Sequence, residues 1–273
     1  MILSNLHTHT VYCDGKNTPE ELVRAAIKKG FTSLGFSGHA YTPHDDEYCM
    51  TPDSTLKYID EINLLKEKYK DKIEIYLGCE CDLYSEIDRQ KYDYIIGSVH
   101  YAKSDEGKLF SVDNAEDITS VYVNDHFEGN YLKFVRAYFE AVAQIGTINP
   151  DIVGHFDLVA KFNEGNKYFD ENSKKYLDMA FDALDAVIPH CNLFEVNTGA
   201  ISRGYKTAPY PAFPILKRLH EKGARITLTS DCHDADFLDC NFIKTIELLK
   251  NTGFKSAYCL LGGKFTEQPL LKH

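Results

Sequence analysis

The chain has 273 residues, of which 44% are hydrophobic and 26% are charged, and this composition excludes a disordered, collagenous or low-complexity protein. Its 30 basic and 41 acidic side chains give a formal net charge of −11, so we expect no nucleic-acid or anionic-membrane partner. No apolar run approaches the roughly 20 residues of a membrane span, and no secretory signal is present, so we expect a cytoplasmic protein with free cysteines.

Short apolar runs alternate with amphipathic segments along the chain, and this order indicates parallel strands joined by helices. The first helix has a complete set of signals, with Thr18 as its N-cap, Pro19 at its first position, Glu21 completing a capping box and Gly30 after its end. With no internal repeat and no linker, we expect a single α/β domain over 1–273. The predicted strands are 2–9, 33–39, 73–81, 94–100, 151–155, 193–198 and 225–231, with a weaker eighth at 257–261. Further helices are predicted at 56–65, 131–145, 176–188, 213–222 and 242–249.

The segment 101–130 departs from this alternation, because it is polar, acidic and without clear periodicity. It is too long for an ordinary loop between a strand and a helix, and long loops of this kind are often functional. A disordered surface insertion is the alternative interpretation. The aromatic residues Phe110, Tyr122 and Phe127 favour a segment that packs on the rest of the protein.

Histidines and acidic residues follow the carboxyl ends of the predicted strands, which share one face in a parallel barrel. Because side chains alternate along a strand, His7 and His9 point to one side, and so do Asp231 and His233. Cys79 and Cys81 point away from Glu80, so we expect them to be buried as small hydrophobic residues. The candidate ligands at the strand ends are His7, His9, His39, Glu80, His100, His155, Asp231 and His233.

Imidazoles combined with carboxylates, without a thiolate among them, are typical of sites for Zn, Mn or Fe. The set exceeds the four ligands that one zinc ion takes, and a carboxylate can bridge two ions, so we expect two or three divalent metal ions. Asp14 follows the first histidine pair in a turn. From the residues alone it is equally well interpreted as a turn residue or as a further ligand.

At these residues the sequence resembles the PHP superfamily of metal-dependent phosphoesterases, and within it the stand-alone histidinol-phosphate phosphatases. The similar motifs are His7-Thr8-His9, Gly38-His39, Gly97-Ser98-Val99-His100, Gly154-His155 and Asp231-Cys232-His233, with Glu80 between them. The resemblance extends over essentially the whole chain. It implies a distorted seven-stranded (β/α) barrel.

The resemblance also implies a trinuclear site, in which Asp14 is a ligand and Glu80 bridges two ions. His7, His9, Glu80 and Asp231 would surround one ion; Glu80, His100 and His155 would surround the second; and Asp14, His39 and His233 would surround the third. Arg203 matches a family position that binds the substrate phosphate. Lys161 stands where the family pattern has an arginine, and we carry the same role to it.

The implied reaction is hydrolysis of a small phosphomonoester, L-histidinol phosphate, by a hydroxide that bridges two metal ions. Asp231 or His39 would transfer a proton to the leaving alkoxide. Two alternatives are another small phosphomonoester and a nuclease-like activity on phosphodiesters, which the net charge of −11 disfavours. A metal-binding module without turnover is a third. No sequence feature indicates an oligomeric state.

Overall fold

The computed structural model describes residues 3–45 and 47–270, so the start of the first predicted strand, at Ile2, lies outside the described residues. The strands are β1 (Ser4–Asn5), β2 (Ser33–Phe36), β3 (Glu74–Asp82), β4 (Tyr94–Ser98), β5 (Tyr101–Lys103), β6 (Leu109–Ser111), β7 (Ile152–Val153), β8 (Leu193–Asn197), β9 (Arg225–Thr229), β10 (Ser256–Leu261) and β11 (Lys264–Pro269). The α-helices are α1 (Pro19–Lys29), α2 (Pro52–Tyr69), α3 (Glu116–Phe127), α4 (Tyr131–Val142), α5 (Lys174–Val187), α6 (Gly199–Ser202), α7 (Phe213–Glu221) and α8 (Phe242–Thr252).

Seven parallel strands form the central sheet in the order β1-β2-β3-β4-β7-β8-β9. Beyond the ends of β1 and β9, a parallel bridge joins Thr8 to Cys232. There the amide of His9 donates to the carbonyl of Cys232 at 2.8 Å, and the amide of Cys232 donates to the carbonyl of His7 at 3.0 Å. The first and last strands of the sheet therefore meet at their carboxyl ends. The predicted seven-stranded α/β barrel is confirmed.

The predicted weaker eighth strand exists, but it lies outside the barrel sheet. It is β10, which pairs with β11 as an antiparallel hairpin. Gly262 and Gly263 form the turn with positive φ angles of 56° and 73°, a conformation that glycine adopts without strain. Their amides donate to the side chains of Glu74 and Tyr76 at 2.7 and 3.0 Å, which fastens the hairpin to the start of β3.

The interior of the barrel at the amino ends of the strands is apolar. Tyr94 lies there fully buried and donates to the carbonyls of Leu6 and Phe36 at 2.5 and 3.2 Å. A Cβ at Gly78 would lie 2.2 Å from the ring of Tyr94, and one at Gly35 would lie 2.3 Å from its hydroxyl, so only glycine fits at both positions. Around this ring packs a buried cluster of Leu6, Tyr76, Tyr94, Ile96, Ile152, Leu193 and Leu260, with Tyr258 and Phe265 of the hairpin beside it.

The helices cover the outside of the sheet. The signals of α1 are confirmed: Thr18 and Glu21 form the capping box, and Gly30 ends the helix with φ 80°. The five other predicted helices also form, as α2, α4, α5, α7 and α8. Cys79 and Cys81 lie in the core between sheet and helices, as expected. Within the described ranges, no helix is long and apolar enough to cross a membrane. The single domain over 1–273 stays a prediction.

The segment 101–130 contains a hairpin and a helix, so its interpretation as a long loop was wrong. It forms the hairpin β5–β6 and then α3. The helix escaped detection because Ile118 and Val121 lie exposed on its outer face, which weakens the apolar periodicity. Phe110 and Phe127 are buried and contact each other at 5.5 Å between ring centroids. The segment therefore packs on the barrel, as its aromatic residues predicted.

Candidate metal centre

Glu80, at the carboxyl end of β3, lies at the centre of the histidine cluster and is 2% exposed. Its Oε2 lies 3.2 Å from Nε2 of His7, 3.4 Å from Nε2 of His9 and 3.1 Å from Nδ1 of His39. Its Oε1 lies 2.9 Å from Nε2 of His155 and 3.5 Å from Nε2 of His100. One carboxylate therefore faces five imidazoles, with each oxygen directed at a different subset.

A second group forms around Asp14, in the turn after the first histidine pair. Its Oδ2 lies 3.0 Å from Nε2 of His233 and 3.7 Å from Nε2 of His39, and its Oδ1 lies 3.4 Å from Nδ1 of His9. The rings of His9 and His233 stack at 4.1 Å between centroids. Among the described residues, three groups of potential ligand atoms close enough to hold an ion are His9, Asp14, His39 and His233; His7, His9 and Glu80; and His39, Glu80 and His100.

Asp231 connects this cluster to a cation. Its Oδ1 lies 3.2 Å from Nε2 of His9 and 3.6 Å from Nε2 of His7. Its Oδ2 accepts a hydrogen bond of 2.9 Å from Nη2 of Arg203, whose Nη1 lies 2.9 Å from Nδ1 of His233. All nine residues predicted from the sequence as ligands thus come together at one end of the barrel. We call them the Glu80 cluster: His7, His9, Asp14, His39, Glu80, His100, His155, Asp231 and His233.

Several atoms of the Glu80 cluster are buried and yet have no hydrogen-bond partner among the described residues. They include Nε2 of His7, Nε2 of His9, Oδ1 of Asp14 and Oε2 of Glu80. Buried polar atoms are almost always paired, so a group of such atoms facing one another calls for a ligand. Imidazole nitrogens and carboxylate oxygens in this arrangement fit divalent metal ions. The cluster is therefore suited to divalent metal binding.

The charges of the cluster also suit cations. Burial disfavours the charged form of Glu80, but His7 and His100 outweigh burial and hold the pKa of Glu80 well below its ordinary value. Burial likewise opposes the ionisation of Asp231, while Arg203 and His7 hold its pKa well below the ordinary value. Burial and the neighbouring His155 lower the pKa of His100 to about 4, despite the attraction of Glu80. The carboxylates are thus ionised and His100 is neutral at pH 7. Despite burial, the neighbouring carboxylates raise the pKa values of His7, His9 and His39, so a bound divalent ion would displace protons from these imidazoles.

Sequence reasoning missed Glu195, which lies on β8 and is 1% exposed. Its Oε2 accepts hydrogen bonds from Nδ1 of His7 and Oγ1 of Thr229, both at 2.8 Å. Its Oε1 accepts from the amide of His155 at 2.5 Å and from Nδ2 of Asn197 at 2.8 Å. Because Nδ1 of His7 donates to Glu195, Nε2 of His7 is left to face Glu80. The signal in the sequence was the pair Glu195 and Asn197, two polar residues spaced by two within an apolar strand.

A cavity of about 220 Å³ opens beside the Glu80 cluster. Arg203 and Lys161, the two residues predicted to bind phosphate, both line it. Nζ of Lys161 donates to the backbone oxygen of Asp113 at 2.6 Å and to its Oδ2 at 3.0 Å. The segment 101–130 contributes to the wall through Tyr101, Ser111, Asp113 and Asn114. The segment 101–130 thus lines the cavity, and the sequence did not indicate which of its residues would do so.

Comparisons with known proteins agree with this geometry. The sequence matches the PHP domain family over residues 5–199. A Schizosaccharomyces pombe protein named probable histidinol-phosphatase is 28% identical, over 93% of this chain and 88% of that protein. The histidinol-phosphatase of Bacillus subtilis is also 28% identical, over 84% of this chain and 92% of that protein.

A solved structure has the same fold. The histidinol phosphate phosphatase of Lactococcus lactis, complexed with Zn, L-histidinol and phosphate, superposes with a TM-score of 0.71 at 23% identity, covering 96% of this chain and 98% of that one. At 23% identity, this structural similarity supports a shared fold. The family match covers more than half of the chain and includes its first histidine pair, Glu80, His100 and His155. This chain belongs to the PHP domain family.

Proposed function

We propose that this protein is a metal-dependent phosphomonoesterase that hydrolyses L-histidinol phosphate to L-histidinol and phosphate. The observation that carries the proposal is the Glu80 cluster, with its unpaired buried ligand atoms, next to a cavity that also presents Arg203. The names of the relatives, and the L-histidinol and phosphate bound in the Lactococcus lactis structure, support the choice of substrate. The reaction belongs to histidine biosynthesis, and a cytoplasmic location stays a prediction.

The proposed ligands are the nine residues of the Glu80 cluster, for two or three ions of Zn, Mn or Fe. The position of Glu80, with Oε2 near His7, His9 and His39 and Oε1 near His100 and His155, supports its role as the bridging carboxylate. Bound divalent ions would supply Lewis acidity, which lowers the pKa of bound water and neutralises charge on the phosphoryl oxygens.

The other groups of the cavity would bind and orient the substrate. Arg203 is held by Asp231 and lies beside His233, so its guanidinium is fixed at the edge of the Glu80 cluster. A fixed guanidinium stabilises the extra negative charge of phosphoryl transfer without reorganising during the reaction. Lys161, which forms an ion pair with Asp113, is the second proposed phosphate-binding residue.

Asp231 and His39 are the proposed proton-transfer residues. Both line the cavity, and both belong to the Glu80 cluster. The hydrogen bond from Arg203 stabilises the ionised form of Asp231, so Asp231 is a weak acceptor of a proton and carries none of its own at pH 7. His39 is 13% exposed to the cavity and is the group better placed to donate one to the leaving alkoxide.

The test is phosphate release from L-histidinol phosphate after chelation and reconstitution with Zn, Mn or Fe(II). The comparison panel contains sugar phosphates, nucleotides and short oligonucleotides, and Glu80→Gln protein purified in parallel controls for contaminating phosphatases. We expect the highest kcat/KM for L-histidinol phosphate, with no activity before metal is added. A higher kcat/KM for another phosphomonoester would overturn the substrate, and cleavage of oligonucleotides alone would indicate the nuclease alternative.

A further inference from the structure

The ion pair between Lys161 and Asp113 lies on the cavity wall and is formed by two residues outside the Glu80 cluster. Lys161 is largely buried, and its ammonium lies 5.0 Å from the ring centroid of Tyr205 and 5.4 Å from that of Phe162. Asp113 lies between β6 and α3, in the segment that packs on the barrel. The pair therefore places a cation and a carboxylate side by side on the wall of the substrate cavity.

Asp113 differs from the other acidic residues of the cavity that lie outside the Glu80 cluster. Asp82 accepts three backbone hydrogen bonds, from the amides of Tyr84, His100 and Tyr101. Asp45 accepts from two backbone amides, from the Tyr101 hydroxyl and from a thiol. Among the described residues, only Lys161 donates to the carboxylate of Asp113. Asp113 is thus the carboxylate of this wall that can still accept a hydrogen bond from a ligand.

The charge of Asp113 is secure. Burial disfavours its ionised form, but Lys161 outweighs burial and holds the pKa of Asp113 below its ordinary value. An ionised carboxylate in a half-buried wall attracts a cation more strongly than it would in water. The carboxylate of Asp113 becomes free to bind a cation of the ligand when its present partner, Lys161, turns to another anion.

L-Histidinol phosphate carries both charges that would replace this pair. Its phosphate is a dianion, and its ammonium stands on the carbon next to the one that bears the phosphate ester. The substrate is therefore a zwitterion whose two charges lie close together. Such a molecule can exchange the Lys161–Asp113 pair for two pairs of its own, leaving no charge unpaired in the cavity.

We propose that Asp113 determines specificity for 2-aminoalkyl phosphates, by binding the ammonium group of the leaving alcohol while Lys161 turns to the phosphate. This inference rests on the proposed function, because it names the part of the substrate that the segment 101–130 recognises. An ester without the amine would leave Asp113 unpaired when Lys161 moves, and it would bind less well for that reason.

The experiment compares L-histidinol phosphate with its desamino analogue, 3-(imidazol-4-yl)propyl phosphate, on the metal-loaded protein. The wild type is expected to prefer the amino ester by about 10–100-fold in kcat/KM, the range for a lost hydrogen bond to a charged group. In Asp113→Asn this ratio is expected to fall towards one, mainly through a higher KM for the amino ester, and Asp113→Glu is expected to restore part of it. Asp105→Asn, at an exposed position of the same segment, is the matched control and should keep the wild-type ratio.

Lys161→Ala separates recognition of the amine from mere positioning of Lys161. It is expected to lower kcat/KM for both esters, because both carry the phosphate. If Asp113→Asn lowers both esters equally, as Lys161→Ala does, Asp113 only positions Lys161 and the proposal is wrong. An unchanged ratio in Asp113→Asn protein with wild-type metal content and thermal unfolding also overturns it.

The same variants distinguish failure of this inference from failure of the proposed function. If the wild type cleaves other phosphomonoesters but not L-histidinol phosphate, the proposed substrate is wrong. The amine subsite is then tested with 2-aminoethyl phosphate against ethyl phosphate. A preference for the amino ester that disappears in Asp113→Asn supports the subsite, and the lack of any preference in the wild type overturns it.

Discussion

The two ends of the barrel are built on opposite principles. At the carboxyl ends of the strands, nine ionisable residues face one another, and several of their buried atoms have no partner among the described residues. At the amino ends, a ring of Tyr94 and aliphatic side chains fills the interior, and the hairpin of β10 and β11 lies beside it. The same strands therefore carry a functional end and a structural end.

This difference between the two ends separates the source of stability, the apolar end, from the proposed source of function, the Glu80 cluster. Buried apolar side chains stabilise the fold by about 1.5–3 kcal/mol each. A cluster of unpaired buried charges contributes stability only once a ligand binds it. The barrel thus tolerates the Glu80 cluster because the opposite end is filled by buried apolar side chains.

The largest expected effect is at the functional end. Glu80→Gln should lower kcat by at least about 10³-fold and reduce the metal content, because a charge that faces five imidazoles is lost. Circular dichroism should remain that of the wild type. Glu74→Gln, at the other end of the same strand, is the matched control and should keep both metal and activity. Full metal content and turnover in Glu80→Gln would exclude the bridging role.

The structural end is broken by Gly78→Ala, since the added Cβ would lie 2.2 Å from the Tyr94 ring. Overpacking of this kind should destabilise the fold by about 3 kcal/mol, measured by urea unfolding. Residual folded protein should still bind metal. The double variant Gly78→Ala/Tyr94→Leu makes space for the methyl group and should recover part of the loss. Additive effects of the two changes would show that the contact is not the cause.

Asp157 is a buried carboxyl group near the functional end of the barrel. Unlike Glu80 and Asp231, it has no neighbouring cation that outweighs the effect of burial on its pKa. Burial raises its pKa to about 7, and its Oδ1 has no hydrogen-bond partner within the described chain. A carboxyl group whose pKa is raised on folding destabilises the fold as the pH rises from its unfolded pKa towards its folded one. From pH 5 to pH 8 this loss should amount to about 3 kcal/mol.

Asp157→Asn removes that titration while keeping an oxygen for the amide of Ala212. Its stability relative to wild type should therefore improve between pH 5 and pH 8 in urea unfolding. The exposed Asp71→Asn should show no such change. A parallel pH dependence in Asp157→Asn and wild type would contradict the assignment.

The smallest expected effect is at Glu195, which is hydrogen-bonded to the proposed ligand His7 and is not itself a proposed ligand. Glu195→Gln places an amide donor among four donors, so Nδ1 of His7 loses its acceptor. Metal affinity should fall by about 10–100-fold, as measured by competition with a chelator, while the metal content at saturation stays the same. Wild-type affinity in this variant would show that the hydrogen bond does not orient His7.

Eight members of the Glu80 cluster were predictable because their strands end at the same edge, so period-two spacing and strand order were sufficient to bring them together. Asp14 was assigned as a ligand only through the resemblance to the PHP superfamily. Asp231 and His233 share a side as predicted, although β9 ends at Thr229 and Asp231 has a positive φ of 46°. Glu195 was not predictable in the same way. Its role depends on which neighbouring strand it faces, and sheet order is a tertiary property.

The segment 101–130 marks the other limit of sequence reasoning. Its aromatic residues correctly indicated packing, but α3 has exposed apolar residues that blur its pattern. Asp113 is one acidic residue in an acidic segment, and nothing local distinguishes it. Only the approach of this segment to Lys161 singles it out. Side chains that depend on such long-range approaches are therefore found from the structure.

The bridge between Thr8 and Cys232 has a consequence for how the protein matures. It joins the first and last strands of the barrel sheet, and residues such as Asp14 and His233, 219 positions apart, meet only when it forms. Contacts of such long range form late and slowly during folding. A nascent chain in which β9 and the residues after it have not yet been made thus lacks part of the proposed ligand set. Tight metal binding would therefore indicate that the barrel has closed.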